Sequence, residues 1–95
     1  MPTVEIALGA VEDLDALIRT HSLPADTRAR VARSLPVLER FPLLGPELTG
    51  RRQNHRFLLG PWRWMVMVYV HLADEDRVVV VTIQDARASA AAHGD

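Results

Sequence analysis

The sequence predicts an α+β domain of order βααβββ, a two-helix hairpin packed on a small antiparallel sheet. Three observations carry this. The first half holds one short alternating stretch, followed by two segments whose apolar residues recur at helical spacing. The second half holds three strand-like stretches, the long second one β-branched and aromatic throughout and the third with four consecutive valines, separated by the turn pair Gly60-Pro61 and an acidic loop. The chain has 95 residues and no cysteine, so residues 1–95 are expected to form a single domain held by one hydrophobic core, without disulfides or a thiolate metal site.

Residues 3–8 read as the first strand, because Val4, Ile6 and Leu8 alternate with Thr3, Glu5 and Ala7. Gly9 breaks the alternation, and a helix follows to about Thr20 with Val11, Leu14, Leu17 and Ile18 on one stripe. Glu12, Asp13 and Asp15 are expected to favour the positive end of its dipole. After the connector at residues 21–24, Val31, Leu35 and Leu38 continue an apolar stripe, while Arg28, Arg30 and Arg33 take other faces. Pro36 removes a backbone donor, so this second helix is expected to bend there and to end by Phe41 and Pro42.

The stretch from Pro42 to Gly50 has the proline and glycine punctuation of a loop. Strands are expected at residues 55–59, 62–71 and 77–85, with turns at Gly60-Pro61 and in the acidic segment 73–76. Within the long middle strand the pleat sets Trp62, Trp64, Val66, Val68 and Val70 on one face. Arg63, Met65, Met67, Tyr69 and His71 fall on the other. The valine face is the expected helix-covered one, which leaves Arg63 and Tyr69 on the open side.

No apolar run approaches the roughly 20 residues of a bilayer crossing, and the start of the chain lacks the basic region of a secretory signal, so a cytoplasmic location is expected. Net charge is −1, which argues against strong nucleic-acid binding on totals alone. The distribution differs from the total. All eleven basic side chains are arginine, and residues 48–73 contain Arg51, Arg52, Arg56 and Arg63 without a single acid. The four histidines show no metal-ligand spacing, so neither a metal nor another cofactor is expected.

Several segments resemble the RelE/ParE superfamily of toxins from type II toxin–antitoxin systems. VEIALGAVEDLDAL is similar to the family's first strand and acidic first helix, and VLERFPLLGPELTG to the end of the second helix and its loop. HRFLLGPWRWMVMVYV resembles the paired strands around a glycine–aromatic–arginine step, and DRVVVVTIQDARAS the last strand with its arginine. The resemblance implies a sheet face that serves as the toxin site. In ribosome-dependent members that face cuts messenger RNA with basic residues and sometimes a tyrosine or histidine. Gyrase-inhibiting members share the fold without that set. It also implies a cognate antitoxin protein as partner, with the ribosome and mRNA, or alternatively DNA gyrase, as target.

Carried over position by position, Arg63 fills the glycine–aromatic–arginine step and Arg87 the last-strand position, the two catalytic candidates. Arg56 lies on the strand of substrate-binding basic residues, and Arg51 and Arg52 add to it as RNA- or phosphate-binding candidates. Three positions depart from the family pattern. Trp62 stands where a tyrosine is usual, Val66 replaces a tyrosine three places past the arginine, and the tail has no tyrosine, with His93 as its candidate instead. Arginine suits the charge stabilisation that RNA cleavage requires, since its planar fork pairs two phosphate oxygens and stays charged. For the same reason it transfers protons poorly, and His55, His71 and His93 match no family acid position. An mRNA endoribonuclease, a non-catalytic gyrase inhibitor and a toxin-fold domain that mainly binds its antitoxin therefore all stay open. Arg63, Arg56 and Arg87 are expected to converge on one patch, although pairing of Arg63 or Arg87 with Asp85 is the plainer alternative.

Overall fold

A computed structural model describes residues 1–50 and 54–87. Strand β1 (Thr3–Ile6) leads into helix α1 (Leu8–Thr20), then α2 (Thr27–Ser34) and the single turn α3 (Val37–Arg40). Strands β2 (His55–Leu59), β3 (Met65–Leu72) and β4 (Arg77–Asp85) complete the chain's regular elements. The sheet order is β1-β4-β3-β2. The three C-terminal strands are antiparallel neighbours, as expected, and β1 joins β4 in parallel, which makes the sheet mixed.

Pro36 divides the second helix as its missing N–H requires. It sits between α2 and α3, and the Leu38 and Glu39 amides donate to the carbonyls of Leu35 and Pro36 as the chain restarts. Leu8 belongs to α1 and is exposed, so β1 is two residues shorter than its alternation predicts. That early start moves Glu12, Asp13 and Asp15 beyond the helix's first turn, which holds no acid. They do other work. Asp15 pairs with Arg28 of α2, and Asp13 reaches β4, where its Oδ2 accepts from Thr82 Oγ1 at 2.6 Å and from the Ile83 amide at 3.2 Å. Strand β1 pairs with β4 only as far as Val80. Asp13 thus supplies an acceptor where the parallel strand has stopped, as a buried or half-buried backbone donor needs.

The helix-covered face of the sheet is the reverse of the expected one. Met65, Met67 and Tyr69 are buried with Val78, Val80 and Ile83 against Ala10, Leu14, Val31, Leu35 and Leu38. Val66 and Val70 are half-buried on the opposite face. Both sets of β3 are apolar, so alternation alone does not rank them. Long, adaptable methionine and tyrosine side chains fill the gap beneath helices, while neighbouring valines shield one another on the open face. A register shift leaves Val81 with no residue opposite it, since Val68 faces Thr82 and Tyr69 faces Val80. This bulge keeps both Val80 and Ile83 in the core despite their odd spacing.

Tyr69 is therefore interior. Its hydroxyl accepts from the Gly45 amide at 2.9 Å, and this bond ties the proline–glycine loop to the sheet. Gly45 is buried hard against β2: a Cβ there would lie 2.0 Å from the Phe57 carbonyl oxygen. The loop continues along the sheet edge, with the Phe57 amide donating to Pro46 and the Leu48 amide to His55.

Candidate functional site

The turn between β2 and β3 is closed by two backbone bonds, Gly60 N–H to Met65 O at 2.8 Å and Met65 N–H to Trp62 O at 3.0 Å. It lifts Arg63 into solvent and turns Trp62 and Trp64 back onto the core. Directly across, β4 ends at Asp85, opposite Met65, and the Ala86 amide donates to Trp64 O at 2.7 Å. Arg63, Trp64, Ala86 and Arg87 consequently line one open groove of about 470 Å³.

The groove's framework is a chain of ring contacts. His21, at the C-terminus of α1, stacks on Trp64 with centroids 4.7 Å apart, and Trp64 stacks on Trp62 at 6.1 Å. The Arg87 guanidinium lies 5.0 Å over Trp64, and Arg30 of α2 lies 5.6 Å over Trp62. Both indoles are thus engaged, and they act as packing residues that hold cations in place.

Asp85 organises the charges. Arg87 donates to it from its backbone amide at 2.8 Å and from Nε and Nη2 at 3.2 Å each, a bidentate grip. His21 Nε2 lies 2.8 Å from its second oxygen. The Arg87 guanidinium holds the Asp85 carboxyl well below the usual carboxylate range; partial desolvation opposes this, and the His21 bond adds to it. His21 Nδ1 lies 2.9 Å from Thr20 Oγ1, whose own proton goes to the Ala16 carbonyl. The two ring nitrogens thus tie the end of α1 to Thr20 on one side and to Asp85 on the other.

The structure brings Arg63 and Arg87 to one groove and leaves Arg56 apart from them. Arg56 faces Tyr69, four residues along β3 from Met65, which is about 13 Å of strand, and it lies two strand spacings, about 10 Å, from β4. Its Nη1 donates to the carbonyls of Gly45 at 2.8 Å and Leu43 at 3.2 Å, so it braces the proline–glycine loop. The expected single patch of three arginines does not form, because β2 pairs Arg56 with the far half of β3. The Asp85 pairing falls to Arg87, while Arg63 makes no ion pair or hydrogen bond with a described residue. Arg51, Arg52 and His93 lie outside the described residues.

Sequence reasoning passed over His21, Arg30 and the organising role of Asp85. His21 and Asp85 are 64 positions apart, on a helix end and a strand end, and no periodicity links such a pair. The residual signal was Asp85 itself, an acid ending an otherwise apolar strand two residues before an arginine. Among the described residues no group of acids and histidines is arranged to hold a metal ion, and no helix is long and apolar enough to cross a membrane.

Solved structures share this α+β fold. It is similar to a chain of the toxin–antitoxin complex RelBE2 from Mycobacterium tuberculosis, with a TM-score of 0.66 and 23% identity over 90% of this chain and 99% of that one. It is also similar to two conserved hypothetical proteins of Helicobacter pylori. HP0892 gives a TM-score of 0.60 at 17% identity, and HP0894 gives 0.53 at 12%, each match covering 92% of this chain and 97% of the other. No family model and no curated protein matches the sequence.

Proposed function

We propose that this chain is the toxin of a type II toxin–antitoxin system and that it arrests translation by cutting messenger RNA on the ribosome. The observation that carries this reading is the groove between Arg63 and Arg87, built at the strand ends of a RelE-like fold. Its two guanidiniums are suited to neutralise the crowded phosphate that forms when a ribose 2′-hydroxyl attacks. Arg87 is pre-set by Asp85 and Trp64, and Arg63 has no ion-pair or hydrogen-bond partner among the described residues. His21 stands at the rear of the same framework and holds Asp85 and Trp64 in place behind Arg87. The cognate antitoxin is proposed as the tight partner in the cytoplasm, an acidic segment being the natural complement to an arginine-bearing surface.

A net charge of −1 and the missing tyrosines favour a second reading, a non-catalytic inhibitor of DNA gyrase. Induction without antitoxin separates the two. Cleavage of a reporter message without gyrase-dependent DNA breaks supports the ribonuclease, and loss of that cleavage in Arg63→Ala and Arg87→Ala assigns it to the groove. Breaks without cleavage would establish gyrase as the target. Unaffected growth would leave antitoxin binding as the function of the fold.

A further inference from the structure

A second cationic site lies beside the first, on the other side of the tryptophan pair. Arg30 and Arg33 of α2, with Ser34, Gly60 and Pro61, line a cleft of about 390 Å³ between that helix and the β2–β3 turn. The Ser34 hydroxyl donates to the Val31 carbonyl at 2.7 Å, and the Gly60 amide is committed to Met65. The donors free to meet a ligand are therefore the guanidiniums. Arg30 is steadied by Trp62 and by Asp26, 3.0 Å from its Nε. A guanidinium held over an indole and bonded to a carboxylate is pre-organised, which lowers the entropy lost on binding. Arg33 is exposed and makes no ion pair or hydrogen bond with any described residue.

The cleft thus repeats the groove's construction. Each has one arginine held over an indole with a carboxylate behind it, Arg30 with Trp62 and Asp26, Arg87 with Trp64 and Asp85. Each has a second arginine without a partner among the described residues, Arg33 and Arg63. The Trp62–Trp64 stack joins the two. We infer that the Arg30–Arg33 cleft is a second phosphate subsite, which grips the same single-stranded RNA a few nucleotides from the Arg63–Arg87 groove. The inference rests on the ribonuclease reading of that groove. Evenly repeated phosphates are the ligand that two like-built, closely spaced arginine pairs fit.

The test uses the purified full chain and a fluorescein-labelled single-stranded RNA dodecamer, with affinity followed by anisotropy across a salt series. Arg33→Gln removes a charge with no partner among the described residues and leaves folding intact. Arg30→Lys keeps the charge and gives up the planar fork that lies over Trp62. Each lost phosphate contact lowers the slope of log affinity against log salt by about 0.7. The expected result is that fall, and about fivefold weaker binding, for Arg33→Gln and again for Arg63→Gln, with Arg30→Lys between them and wild type. A fall for Arg63→Gln alone would overturn the second subsite and leave the proposed function standing. No binding by wild type, or no response to either glutamine variant, would overturn the second subsite, while the ribonuclease reading stands or falls on cleavage of the reporter message. If Arg33→Gln left RNA affinity untouched but weakened binding of polyglutamate, the cleft would be a protein-docking site and the inference would fail.

Discussion

Removal of one oxygen, in Tyr69→Phe, tests the burial of the proline–glycine loop. The phenol oxygen accepts from the Gly45 amide at 2.9 Å, with Tyr69 only 1% exposed and Gly45 buried as well. Phenylalanine keeps the ring and its packing and leaves the amide without its acceptor. A buried donor stranded in this way costs about 1–3 kcal/mol. For a domain of this size each kcal/mol moves the melting temperature by roughly 4–8 °C, so a mid-range loss of about 2 kcal/mol lowers it by about 8–16 °C. The open-face position expected from the β3 alternation would make the same substitution nearly neutral, within about 0.5 kcal/mol. Urea denaturation gives the size, and native-state hydrogen exchange gives the place: the Gly45 amide should lose protection far more than the β3 amides. Combination with Arg56→Met should be less than additive, because Arg56 braces the Leu43 and Gly45 carbonyls of the same loop. A Tyr69→Phe protein that melts within about 2 °C of wild type, with Gly45 still protected, would show that the phenol oxygen does not hold the loop.

Gly45→Ala should cost more than Tyr69→Phe, about 3 kcal/mol or above, because its Cβ would meet the Phe57 carbonyl at 2.0 Å and backbone must move; urea melts decide it. Asp13→Ala should destabilise by about 2 kcal/mol and expose the Ile83 amide to exchange, since it takes the acceptor from both Thr82 and Ile83. Asp85→Asn tests the acid side. The folded carboxyl titrates below its ordinary value of 3.8, so its contribution is complete above that value and is lost as pH falls through the folded one. The stability gap between wild type and Asp85→Asn should therefore be constant near neutrality and shrink only below about pH 4. A gap that closed between pH 7 and 5 would contradict the assignment.

Much of this fold was legible because local chemistry dictates it. Pro36 had to break the second helix, the valine-rich runs had to form β3 and β4, and the acidic segment after Leu72 had to turn. Other features depend on partners far apart in sequence. Nothing in residues 3–6 tells that they pair in parallel with Arg77–Val80. The β3 pattern offered two apolar faces, and only the helical layer chose methionine and tyrosine over valine. Of the candidate site, Arg63 and Arg87 could be read from their motif positions, and their meeting follows from the pairing of Met65 with Asp85. Arg56 could not be assigned in advance, because its partners are backbone carbonyls of a loop, which leave no mark on composition.

The unequal lengths of two neighbouring strands explain where the groove sits. Strand β1 stops at Ile6, opposite Val80, while β4 runs on to Asp85. The final five residues of β4 therefore have a strand on one side only, and α1 closes the other side with Asp13 and His21. The bulge at Val81 reorients this stretch, so that Asp85 faces the helix end and not the open sheet. A carboxylate in that position can hold a histidine from α1 and an arginine from beyond β4 together, which neither strand nor helix could do alone. The anchoring group sits on the sheet and the partly exposed cation on the chain that leaves it. Variation in the residues after Asp85 can thus retune the groove without disturbing the ladder that supports it.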